Sequence, residues 1–105
     1  MKILFDNGTP VPLRRYLYGH SVDTAARMGW ATLRNGELLA RAEENGYDLI
    51  ITTDQQWPHQ LNLANFQVAV LVLLEASWPR TRFRLQEIRD AVDRTHPGGY
   101  QEVAI

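Results

Sequence analysis

The run Val68-Ala69-Val70-Leu71-Val72-Leu73-Leu74 carries an apolar side chain at every position. A strand with one wet face alternates apolar and polar residues, because successive side chains point to opposite faces. A run without alternation needs apolar cover on both sides, as a parallel strand between two helical layers has. The stretch Tyr47-Asp48-Leu49-Ile50-Ile51-Thr52-Thr53-Asp54 has the same apolar centre, entered after Gly46 and left through Gln55-Gln56-Trp57-Pro58. Neither run approaches the ~20 apolar residues that span a bilayer. These two strands point to an α/β protein with a parallel sheet.

The rest of the chain supplies the other elements in alternation. Residues 2 to 6 read as a short apolar strand, Lys2-Ile3-Leu4-Phe5, running into Asp6. Thr9-Pro10 suits the start of a helix over 10 to 18, with Leu13, Tyr16 and Leu17 at helical spacing and Gly19 as its stop. His20 to Ala25 predicts a second strand, more polar and nearer an edge. Ala25 to Leu33 reads as a helical turn ending at Gly29, then a loop carrying Trp30. Asn35 is a good N-cap for the next helix, with Glu37 in its first turn, Leu38, Leu39 and Ala42 on its apolar face, and Asn45-Gly46 as its stop.

The third strand covers 47 to 54, and His59 to Asn65 is a polar stretch. Trp78-Pro79 breaks the apolar run, and residues 82 to 94 predict a last helix with Leu85, Ile88 and Val92 on one face. His96-Pro97-Gly98-Gly99 is a turn into a final strand, Tyr100 to Ile105, whose direction stays open. Strands alternating with helices predict a three-layer Rossmann-like fold, a mostly parallel sheet of about five strands in one domain, 1–105.

Bulk properties narrow the function. With 105 residues, 45% hydrophobic and 22% charged, the chain can build one core and lacks the composition of a disordered protein. A formal net charge of −1 argues against a general nucleic-acid coat, while leaving room for a local basic patch. The absence of cysteine excludes disulfides and thiolate metal sites and fits a reducing interior. The N-terminus enters a strand directly, without a signal-peptide pattern, so the expected location is cytoplasmic, with no membrane partner.

Chemistry gathers beyond the carboxyl ends of parallel strands. Asp6 and Asp54 both stand there, and adjacent strands would bring them within reach of one ion. Glu37 can enter the same edge from the first turn of its helix. Three hard oxygen donors suit Mg²⁺ or Mn²⁺ and the metal-assisted hydrolysis of a phosphodiester. Each acid also has a plain structural reading: Asp6-Asn7-Gly8 is a good turn, Asp54 ends a strand, and Glu37 complements a helix dipole.

Asn35, Thr53, Thr9 and Asp23 are supporting candidates at that edge, each equally suited to a cap, turn or strand end. Arg80, Arg82 and Arg84, beside Trp78 and Phe83, form a candidate nucleic-acid-binding group or a solvated helix start. No histidine pair has helical metal-ligand spacing, no serine sits in a nucleophile elbow, and no glycine-rich phosphate loop is present.

Four stretches in order resemble the short bacterial PIN-like proteins. They are Lys2-Ile3-Leu4-Phe5-Asp6 with Gly8-Thr9-Pro10, Gly19-His20-Ser21-Val22-Asp23, Asn35-Gly36-Glu37-Leu38-Leu39 and Asp48-Leu49-Ile50-Ile51-Thr52-Thr53-Asp54. The resemblance covers most of the chain. It implies a PIN-type version of the Rossmann-like fold and an Mg²⁺- or Mn²⁺-dependent ribonuclease of single-stranded RNA, often the toxin of a toxin–antitoxin pair. It maps family acids onto Asp6 and Asp54. Larger PIN nucleases carry an aspartate at the place of Asn35, where Glu37 is the nearest carboxylate here. Many relatives have a further acid shortly after the Asp54 position, where this chain has Gln55 and Gln56. The expected partners are an RNA substrate, an antitoxin protein and a second copy of the chain.

Two other readings stand beside it. The missing acids suit a catalytically degenerate PIN-like module that binds a protein through exposed Trp57, Trp78 and the arginines. The strand ending at Asp54 also resembles the phospho-acceptor strand of a receiver domain. Receivers hold an acidic pair after the first strand and a lysine after the last. Here Asp6 is followed by Asn7, and the sole lysine is Lys2.

Overall fold

The two-residue period of an extended chain decides which layer each core residue joins. The computed structural model describes residues 1–57 and 63–105. Its strands are β1 (Lys2–Phe5), β2 (Ser21–Thr24), β3 (Leu49–Thr52), β4 (Ala69–Leu73) and β5 (Tyr100–Val103). They form one sheet in the order β2-β1-β3-β4-β5, and every neighbouring pair is parallel. In the three central strands, Ile3, Phe5, Leu49, Ile51, Ala69, Leu71 and Leu73 bury into one core. Leu4, Ile50, Val70 and Val72 bury into another, on the opposite face. The absence of polar alternation has this cause: both faces are dry.

Helices cover the two faces. The helices are α1 (Asn35–Glu44), α2 (Trp78–Thr81) and α3 (Leu85–Asp93). Ile88, Ala91 and Val92 of α3 join the first core, with Leu13 and Leu17 from the chain between β1 and β2. Leu38, Leu39 and Ala42 of α1 join the second, with Tyr47, Trp57 and Val68. This is a three-layer, Rossmann-like α/β fold. No helix among the described residues is long and apolar enough to cross a membrane.

One connection departs from the common pattern. From β2 to β3 and from β4 to β5 the chain moves in the same direction across the sheet. The first passage uses α1 on the second face, and the last uses α3 on the first face. Parallel connections moving the same way over opposite faces have opposite hands. Crossovers are right-handed with very few exceptions, so this sheet contains one of the uncommon kind.

Several expected boundaries shift. The segment read as a helix over 10 to 18 is a 3₁₀ helix, Val11–Tyr16, with proline in its first turn. The last helix is not continuous over 82 to 94. It begins earlier, with α2 at Trp78, tightens into a 3₁₀ turn at Arg82–Arg84, and resumes as α3. Pro79 opens α2, where its missing N–H costs nothing, so it starts a helix as well as ending the apolar run. The buried Thr81 hydroxyl donates to the Ser77 carbonyl at 2.7 Å, holding that short turn together. The direction left open for the last strand is parallel to β4.

Of the polar stretch 59 to 65, Leu63–Asn65 forms a 3₁₀ turn, while residues 58–62, His59 among them, lie outside the described residues. Trp57 is not exposed, as the interface reading required; it is 0% exposed. It fills the second core beside Leu4, Leu38 and Ile50. Trp78 is half-buried, its ring 5.8 Å from that of Tyr16.

Candidate functional site

The strand order reverses between β1 and β3. The chain leaves β1 toward β2 on one side and returns to β3 on the other. The connections therefore diverge there, at the carboxyl ends of the strands, where the crevice of an open α/β sheet usually takes its ligand. Asp6 follows β1 and Asp54 follows β3, so both acids stand at this crevice.

One hydroxyl joins them. Thr52 Oγ1 donates to Asp6 Oδ2 at 2.8 Å and accepts the Asp54 backbone N–H at 3.0 Å. Asp6 Oδ1 accepts the Asn7 N–H at 2.8 Å. The Asp6 N–H donates to the Ile51 carbonyl at 2.9 Å, extending the β1–β3 ladder one residue past the strand. Asp54 is held on both oxygens: Oδ1 accepts the Gln56 N–H and Oδ2 accepts Asn35 Nδ2, each at 2.9 Å.

Burial pushes the Asp6 carboxyl above the ordinary value of 3.8. The bonds from Thr52 and Asn7 oppose that shift, and the negative charge of Asp54 adds to it. Burial is the largest of these causes and the charge of Asp54 the smallest, so desolvation sets the direction of the shift.

The supporting residues separate into those at the crevice and those away from it. Asn35 was expected as an N-cap, but it is the first residue of α1, and Arg34 is the cap, with no side-chain capping bond. The Asn35 amide reaches Asp54 across the second face. Thr9 is buried, and its hydroxyl donates to the Ile51 carbonyl at 2.9 Å, fixing the loop after Asp6. Thr53 lies against that loop from the β3 side. Gly8 has φ +86°, and a Cβ there would meet Thr53 Oγ1 at 3.0 Å.

Asp23 is elsewhere. It pairs with Leu4 within the sheet and accepts the Tyr47 hydroxyl at 2.7 Å on the second face. Glu37 is exposed in the first turn of α1. Among the described residues, no three His, Asp or Glu side chains form a metal-ligand group.

The arginines lie on elements that leave the same edge. Arg80 pairs with Glu75 at 3.1 Å, Arg84 with Glu87 at 3.7 Å, and Arg82 lies 4.8 Å from the centroid of the Phe83 ring. The Ser77 N–H, first among several partners, holds the Glu75 carboxyl below its ordinary value. Lys2 is tied to the opposite edge, its Nζ donating to the Asn45 carbonyl at 2.7 Å and lying 4.3 Å from the Tyr47 ring centroid.

Two links were missed in the sequence. Thr52 is the residue that joins the acids, and its position one strand residue before the exit was its only signal. The Asn35–Asp54 bond was hidden because asparagine before a helix has a simpler use as a cap.

Fold and site together define the class: a Rossmann-like α/β protein with two acids at the switch point of its sheet, one held by the Thr52 hydroxyl and the other's backbone N–H on the same oxygen. Compared with protein-family models, with curated proteins and with solved structures, the chain finds no match.

Proposed function

We propose that this protein is a divalent-metal-dependent hydrolase of single-stranded RNA, with Asp6 and Asp54 as its metal carboxylates. The observation that carries this reading is that the Thr52 hydroxyl, at the switch point, holds both the Asp6 carboxylate and the backbone N–H of Asp54. A partly buried carboxylate with the charge of a second acid acting on it is costly unless something positive neutralises it. Among the described residues each of these carboxylate oxygens accepts one hydrogen bond, and a carboxylate oxygen has the capacity to accept more than one. Mg²⁺ is commonly held by only one or two carboxylates, with waters and substrate phosphate completing its shell. The residues at the crevice therefore fit Mg²⁺ or Mn²⁺ without a third protein acid.

A bound ion would supply an activated water and charge neutralisation at a phosphate. The chain's own residues set the geometry. Thr52 fixes the spacing of the two acids, Asn35 and the Gln56 N–H orient Asp54, and Thr9 anchors the loop that carries Asp6. The PIN-like resemblance supplies the RNA substrate and the toxin setting with its antitoxin partner. The test is cleavage of single-stranded RNA by purified protein with Mn²⁺. Loss of cleavage in Asp6→Asn and in Asp54→Asn is expected, and cleavage surviving in both rejects the proposal. Glu37→Gln retains activity in this two-acid version.

A receiver-like phospho-acceptor is the second reading. The order β2-β1-β3-β4-β5, with an acid after β3, is that of flavodoxin-like folds, receivers included. Two features weigh against it. The only lysine is bonded at the other edge of the sheet, and the β4–β5 connection has the opposite hand to the one through α1. Acetyl phosphate labelling of Asp54 would favour the receiver; absence of labelling together with Mn²⁺-dependent cleavage would favour the hydrolase.

A further inference from the structure

Two short stretches, Val11–Tyr16 and Trp78–Arg84, hold five of the eleven basic residues and none of the twelve acidic ones. They leave the carboxyl ends of β1 and β4, the two strands that flank β3 in the sheet. They are also fastened together, through the Tyr16 and Trp78 rings with centroids 5.8 Å apart. Arg14, Arg15, Arg80, Arg82 and Arg84 are all exposed. Phe83, between Arg82 and Arg84, is 72% exposed. We propose that these two stretches form one ridge that holds the backbone of a single-stranded RNA beside the acid pair, with Phe83 stacking on an unpaired base.

The charge pattern supports a polyanion. In a chain with a net charge of −1, five of the eleven basic residues on these two acid-free stretches make a local and directional attraction. The Arg80–Glu75 and Arg84–Glu87 contacts are largely exposed pairs, which contribute little and are readily exchanged for phosphate. An exposed aromatic among arginines is the combination that binds single strands, because arginine tracks phosphate and the ring accepts any base. A duplex keeps its bases stacked inside and offers Phe83 nothing comparable. The ridge deepens the hydrolase reading by naming how the strand is held, and its test is separable from that reading.

The experiment is fluorescence anisotropy of a labelled oligouridylate of about ten nucleotides in EDTA, so that neither metal nor cleavage enters. The unmodified protein should bind, with log affinity falling against log salt at a slope near −3.5, roughly 0.7 for each of five phosphate contacts. Arg14→Gln/Arg15→Gln and Arg80→Gln/Arg82→Gln should each lower the slope by about 1.4. Phe83→Ala should weaken binding about tenfold. Arg41→Gln, on α1, should change nothing, and circular dichroism confirms folding of each variant.

Equal affinity in all variants overturns the ridge. So does equal binding of a duplex, or displacement of the RNA by poly-glutamate at equal charge, which would assign the surface to an acidic protein. Binding without Mn²⁺-dependent cleavage would sink the hydrolase and leave the ridge. Cleavage indifferent to the arginine variants would do the reverse.

Discussion

Thr52 and Asp6 are bound side chain to side chain, hydroxyl to carboxylate at 2.8 Å, although 46 residues separate them. The same hydroxyl receives the Asp54 N–H at 3.0 Å. Thr52 is 0% exposed, so neither partner can be replaced by water without rearrangement. Thr52→Val keeps the shape and removes both bonds. It should lower stability by about 1–3 kcal/mol, the cost of a buried polar group left unpaired. Urea denaturation measures this, and an unchanged midpoint would show that the bridge does not hold the acids.

Asp6→Asn should act in the opposite direction. In the unfolded chain Asp6 titrates near 3.8, and burial raises it in the folded protein. The folded state thus prefers the protonated acid. Stability from this group is present below the unfolded value and is lost as pH rises through the raised folded value. At neutral pH in EDTA, Asp6→Asn escapes that cost and should melt higher than the parent protein. The gap should close as pH falls toward 3.8. A parent protein that melts higher at neutral pH would contradict the cost assigned to burying the Asp6 charge.

Asn35→Asp tests the amide that holds Asp54. Asn35 Nδ2 donates to Asp54 Oδ2 at 2.9 Å, and an aspartate there would place carboxylate against carboxylate. The expected result is a lower melting temperature in EDTA, recovered by Mn²⁺. A melting temperature that Mn²⁺ does not move would mean that the crevice gains no metal affinity from a third acid.

Gly8 allows the loop after Asp6 to close on β3. Its φ of +86° disfavours any side chain, and a Cβ would sit 3.0 Å from Thr53 Oγ1. Gly8→Ala should cost roughly 1–2 kcal/mol from backbone strain alone. Chemical denaturation reads it; a change under a few tenths of that range would show that the loop relaxes freely.

These expectations rest partly on what the sequence made legible. The parallel sheet was visible because Leu49-Ile50-Ile51 and Ala69 to Leu73 are dry on both faces, which composition records directly. That Asp6 and Asp54 leave adjacent strands at one sheet edge was legible because each acid follows a buried strand. Trp57 misled because a tryptophan before proline, after a polar pair, looks like a loop tip, while the second core needed a large side chain there. The break at Arg82–Arg84 was invisible because Trp78, Leu85, Ile88 and Val92 continue one apolar face through it. The hand of the β4–β5 connection has no local signature, since it depends on which face the last helix finds uncovered.

The central claim is that Asp6 and Asp54 share one divalent ion, and isothermal calorimetry with Mn²⁺ on the metal-free protein tests it most directly. The account predicts one ion per chain, with affinity reduced at least tenfold in both Asp6→Asn and Asp54→Asn. Binding that either variant leaves intact, or no binding in the parent protein, would contradict it.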